Sequence, residues 1–150
     1  MDNLSLQPHH SLPSVVRAYE HLANYKVITN QPFKYDHTIV FLSGNGLFYP
    51  NTEASAFRSI FSLDRFEWSV VSGYLNDFRQ IILVRDVTKN YYWDGISRAV
   101  PNIKELSRLL SDLIEAQCYS FVASSAGAYA SMLLCQSCLL YTSPSPRDAT

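Results

Sequence analysis

Apolar positions along this chain fall into two kinds of run. At 38–42 (Thr38-Ile39-Val40-Phe41-Leu42) and 80–84 (Gln80, then Ile81-Ile82-Leu83-Val84) they are continuous and rich in β-branched side chains. Runs of that length predict strands buried on both faces, as in a parallel sheet. At 101–117 the apolar residues Ile103, Leu106, Leu109, Leu110, Leu113 and Ile114 recur every three or four positions, with Pro101 near the start. That spacing predicts an amphipathic helix.

Weaker signals fill in the order. Val15, Val16, Tyr19 and Leu22 suggest a short helix within 14–25, followed by a strand at 26–29 and a turn at Asn30-Gln31-Pro32. Ala54, Ala56, Phe57, Ile60 and Phe61 place a helix within 51–66, with Thr52 as its cap. Residues 68–71 read as a minor strand or part of a long loop, 119–123 as a strand, and 126–135 as a helix. Strands alternating with helices predict an α/β domain with a mostly parallel sheet.

Ligands in such sheets bind beyond the carboxyl ends of the strands. Three of those ends are Ser43-Gly44-Asn45-Gly46, Arg85-Asp86 and Ser124-Ser125-Ala126. The last stands in Tyr119-Ser120-Phe121-Val122-Ala123-Ser124-Ser125-Ala126-Gly127, a short apolar strand, then small-x-Ser-x-small, then a helix start. A nucleophile elbow has this layout, with small flanking residues because the turn is sharp and crowded. Ser125 is the candidate nucleophile and the Ala126 N–H a candidate oxyanion donor. A second donor would come from the glycine-bearing turn, at Asn45 or Gly46, with Gly44 letting substrate approach; the turn is expected to need positive φ. The competing reading is a noncatalytic α/β binding domain in which Ser125 only caps a helix. Phosphate binding is not supported, because Gly44-Asn45-Gly46 lacks the lysine and spacing of a P-loop and the third glycine of a dinucleotide fingerprint.

Three segments together carry a family resemblance: Phe41-Leu42-Ser43-Gly44; Val84-Arg85-Asp86 with Tyr91-Tyr92-Trp93-Asp94-Gly95-Ile96; and Val122-Ala123-Ser124-Ser125-Ala126-Gly127-Ala128-Tyr129-Ala130. Over 37–136 the chain resembles a group of bacterial α/β-hydrolase-fold proteins of the serine esterase type. It departs at Ala123 and Ala128, where that group has glycine. The resemblance implies a three-layer sheet domain and an acyl substrate such as an ester or thioester. It also implies a triad acid and histidine downstream of Ser125. Arg85, Tyr92 and Trp93 would then lie on the substrate side. Packing is the plainer role for the aromatics, and an ion pair or loop cap the plainer role for Arg85 and Asp86.

The histidines bear on that triad. His9, His10, His21 and His37 all precede Ser125, so this chain is expected to lack the general base and to be inactive alone. The end of the chain also stands apart. Residues 138–148 (Cys-Leu-Leu-Tyr-Thr-Ser-Pro-Ser-Pro-Arg-Asp) resemble the translation of a transposase-end sequencing adapter, so 138–150 is read as a non-native tail. The expected organisation is a leader and short helix at 1–24, then the N-terminal part of a hydrolase domain at 25–137, its C-terminal part missing. Such a piece should expose apolar surface and aggregate readily.

Composition narrows the partners. Hydrophobic residues make up 47% of the chain, enough for a sizeable core. A net charge of −1 gives no footprint for nucleic acid or an anionic membrane. No apolar run approaches the ~20 residues of a membrane span, and the polar start lacks the apolar stretch of a secretory signal. Cys118 and Cys135 are read as reduced core thiols of a cytoplasmic protein, with no metal-ligand spacing. The expected partner is a small-molecule acyl substrate; no cofactor and no metal is implied, and the oligomeric state is open.

Overall fold

The computed structural model describes residues 11–137. His9 and His10, and the 138–150 tail, lie outside the described residues. The strands are β1 (Tyr25–Thr29), β2 (Tyr35–Leu42), β3 (Phe78–Val84) and β4 (Cys118–Ala123). The helices are α1 (Pro13–His21), α2 (Glu53–Phe57), α3 (Ser69–Ser72), α4 (Ile103–Leu113) and α5 (Ala126–Ser137). The strands form one sheet in the order β1-β3-β2-β4. β2 runs parallel to both β3 and β4, and β1 is antiparallel to β3. The described chain is therefore mixed α/β with an open, mostly parallel sheet.

Alternate side chains of the two central strands serve different clusters, as the two-residue period of a strand requires. Val40, Leu42, Ile82 and Val84 pack with Leu106 and Leu110 of α4, Ala130 and Leu134 of α5, and Tyr92 and Ile96. Ile39, Phe41, Ile81 and Leu83 pack instead with Phe66, Trp68 and Leu75. The segment after β2 thus covers one face, and the helix after β3 covers the other. Because β2 lies between β3 and β4, connections from adjacent strands diverge beside the end of β2. In open α/β sheets ligands bind beside such a divergence.

The expected Thr52 cap forms, and α4 has a side-chain cap that was not expected. Thr52 caps α2 by accepting from the Ser55 N–H at 3.1 Å, while the Ser55 hydroxyl accepts from the Thr52 N–H at 2.9 Å. Asn102 caps α4 by accepting from the Glu105 N–H at 2.8 Å.

Other expectations are corrected. The helix expected to run to residue 66 leaves α geometry at Arg58–Ser62, a π turn closed by Leu63 N–H to Arg58 O at 2.9 Å. Residues 68–71 are no strand; the chain turns there into α3, with Ser72 N–H donating to Trp68 O at 3.0 Å. Gly44 and Gly46 are not at positive φ; they are small because of close neighbours. Cys118 and Cys135 are exposed, not core thiols, Cys118 opening an edge strand whose side chains are far less buried than those of β2. Met132 and Tyr129 of α5 are also exposed. Among the described residues no helix is long and apolar enough to cross a membrane.

Candidate functional site

Leu42 and Ala123 are paired in register, so the chain leaves β2 and β4 side by side. Ser125 lies just past that row and is exposed, with φ +53. A left-handed conformation costs a residue bearing Cβ about 1–2 kcal/mol, so the surroundings must impose it. They do so by crowding. The first turn of α5 lies so close to β2 that a Cβ on Gly127 would be 2.6 Å from Leu42 O and 2.8 Å from Ser43 O. Gly127 donates to Ser124 O at 3.0 Å and Tyr129 to Ser125 O at 3.2 Å, so the helix begins immediately after the strained residue. Ala126 is the first residue of α5, where N–H groups have no intrahelical acceptor. No described residue hydrogen-bonds the Ser125 hydroxyl, and it does not cap α5.

The glycine turn lies against this elbow. A Cβ on Gly44 would meet Ser124 O at 3.1 Å and the Ser125 Cβ at 3.5 Å. Two side chains that carried no sequence signal hold the turn. Glu67 Oε2 accepts from the Gly44 N–H at 2.5 Å, and the Trp68 indole donates to Leu42 O at 3.2 Å. Glu67 Oε1 would be 3.1 Å from a Cβ on Gly46. The Gly44 N–H is therefore committed, while Asn45 and Gly46 are exposed beside it. Residues 67 and 68 sit in an aperiodic stretch, and only the tertiary fold brings them to the end of β2.

The turn after β3 is organised by Asp86. Its buried carboxylate accepts from the Thr88 hydroxyl at 2.8 Å and from the N–H groups of Thr88, Asn90 and Tyr92 at 3.1, 3.0 and 2.9 Å. Burial pushes its pKa up, against the opposing pull of these hydrogen bonds. The Asp86 N–H donates to Ser43 Oγ at 3.1 Å, and the buried Tyr92 hydroxyl donates to Ser43 O at 2.8 Å. The loops after β2 and β3 are thus locked together directly beneath the elbow.

Arg85 and Tyr92, expected on the substrate side, are both buried. Arg85 is buried, donating to Asn24 Oδ1 at 3.1 Å, Asp64 Oδ1 at 3.0 Å and Arg65 O at 3.1 Å, with its guanidinium over Phe66. Its ion-pair partner is Asp64, not Asp86. Tyr92 belongs to the core. Trp93 is 68% exposed. Lys89, which carried no sequence signal, is buried over the Phe48 ring and donates to Asn51 Oδ1 at 2.5 Å; burial pushes its pKa down to about 8, with Glu67 opposing.

His37 is at the opposite end of the sheet, paired with Cys118 and 2.8 Å from Ser120 Oγ. It is five residue steps along the strand from Leu42, about 17 Å. His21 closes α1. Among the described residues no group of His, Cys, Asp and Glu could hold a metal ion. Comparison with protein-family models, with curated proteins and with solved structures found no match.

Proposed function

We propose that this chain is the N-terminal part of a three-layer α/β-hydrolase-type serine hydrolase with a small-molecule acyl substrate. Ser125 Oγ attacks the acyl carbonyl, its proton passes to a histidine, and the carbonyl oxygen gains the negative charge. The N–H groups of Ala126 and of Asn45 or Gly46 take up that charge. Collapse expels the alcohol or thiol and leaves an acyl-serine, which water then hydrolyses. In this reading the acid and histidine are supplied by sequence downstream of residue 137, and the 150-residue chain is inactive alone.

The observation that carries the reading is the state of Ser125: left-handed, exposed and free of any capping bond at the carboxyl edge of the sheet. A serine that only capped a helix would have β-region φ and would accept from a first-turn N–H. Strain of this kind, over-determined by its neighbours, collects at functional positions.

The gene product extended by its natural downstream sequence tests the reading by hydrolysis of p-nitrophenyl esters. Ser125→Ala should lower kcat by about ten-thousand-fold or more, and a variant retaining activity would refute it. The noncatalytic reading draws on one observation, that His37 lies at the end of the sheet opposite Ser125. It predicts that the extended protein is inactive with Ser125 intact.

A further inference from the structure

The loop after β3 holds two adjacent non-glycine residues in the left-handed region. Tyr91 and Tyr92 both have φ +62, and the Asp86 carboxylate holds the backbone there through the Asn90 and Tyr92 N–H groups. Gly95, at φ +64, presses the loop onto the residues leading into α4: a Cβ there would be 1.8 Å from Val100 O and 2.6 Å from Asn102 N. This geometry holds two large aromatics in solvent, Tyr91 at 47% and Trp93 at 68% exposure. Exposed aromatics on an over-determined, strained loop call for an occupant.

Together with Ile103, Leu133, Asn102 and Lys104, those two aromatics line a cleft of about 240 Å³. The cleft stands at the same edge of the sheet as Ser125, because α4 and α5 both start there. Tyr91 is the link, its ring meeting Tyr129 edge-on with centroids 6.0 Å apart. Tyr129 is four residues after Ser125, about 6 Å along the helix.

We propose that this cleft binds the aliphatic chain of the acyl group, an inference resting on Ser125 as the nucleophile. The lining is mostly apolar, its polar members confined to the cap and first turn of α4, too few to satisfy the hydroxyls of a sugar. At ~30 Å³ for a water-sized group, the cleft accommodates about eight methylene-sized units.

The test titrates the 150-residue chain with straight-chain fatty acids from butanoate to dodecanoate, below their micellar concentrations, reading tryptophan emission. Emission should shift to the blue and saturate. Affinity should rise about fourfold per added methylene up to about eight carbons, then level off. Trp93→Phe should remove the shift, leaving only Trp68. Leu133→Phe should move the plateau to shorter acids, and Ile103→Phe does the same should the first variant not fold by circular dichroism. A non-saturating signal, affinity indifferent to chain length, or a plateau unmoved in the folded variant would overturn the cleft. Ser125→Ala should bind the acids unchanged. Binding without any reaction at Ser125 in the extended protein would therefore remove the nucleophile and keep the cleft, and reaction without binding would do the reverse.

Discussion

Gly127→Ala puts the elbow's packing to a quantitative test. The added methyl would stand 2.6 Å from Leu42 O and 2.8 Å from Ser43 O, against an ordinary contact of 3.4 Å or more. Both obstacles are backbone of the central strand, so α5 must move outward by several tenths of an ångström. Overpacking of this kind costs about 1–3 kcal/mol. The shift also pulls at Ser43 O, which accepts the buried Tyr92 hydroxyl at 2.8 Å, a bond contributing about 1 kcal/mol. Alanine recovers at most about 1 kcal/mol of helix propensity. The net loss is about 2 kcal/mol, or a fall in Tm of about 4–8 °C for a chain of this size. Gly73→Ala is the control: its Cβ meets only Val70 O, at 3.4 Å, and φ there is −63°. Thermal unfolding followed by circular dichroism should separate the two. Equal midpoints, or a more stable Gly127→Ala, would refute the account of a helix forced against β2.

Three further outcomes follow from the same geometry. Ser125→Gly should be more stable than Ser125→Ala by about 1 kcal/mol in urea unfolding, since glycine relieves the left-handed strain; the opposite order would show that Ser125 is unstrained. Asp86→Asn should cost about 2–4 kcal/mol, because an amide presents two donors to groups that already donate, and a native-like urea midpoint would contradict the carboxylate's role in the loop. Lys89 has its pKa depressed from 10.5 to about 8, so the unfolded chain binds the extra proton between those values. Stability should therefore rise with pH from about 8 to about 9.5, short of the range in which buried Tyr92, whose pKa is well above 10, reverses the trend. Lys89→Met should flatten this rise, and a rise that persists in the variant would assign it elsewhere.

The sheet was legible where burial leaves a pattern. Continuous apolar runs mark β2 and β3, and the three-and-four spacing of Ile103, Leu106 and Leu110 marks α4. Thr52 signalled its cap by local chemistry alone. The short strand 26–29 was also readable, but its antiparallel pairing to β3 was not, because direction is set by what the chain does more than fifty residues away. Residues 68–71 misled because Val70 and Val71 carry strand propensity, yet they end exposed on a short helix.

The site was legible at Ser125 and Gly127, where sharp turns and close packing demand particular residues in consecutive positions. It was not legible at Glu67, Trp68 or Lys89. Each acts through a tertiary contact with a segment some twenty to forty residues distant, and nothing in neighbouring residues encodes that. The Arg85-Asp86 pair looked like one unit from adjacency, but successive residues leaving a strand point to opposite faces. Asp86 turns toward the 88–92 loop, and Arg85 toward Asp64 and Phe66.

The central claim is that Ser125 is a nucleophile, and covalent capture reads this most directly. The gene product extended by its natural downstream sequence would be treated with a fluorophosphonate probe, digested, and the adduct located by tandem mass spectrometry. The account predicts a single adduct on Ser125, lost in Ser125→Ala and kept in Ser124→Ala. An adduct on another residue, or none on folded extended protein, would contradict it.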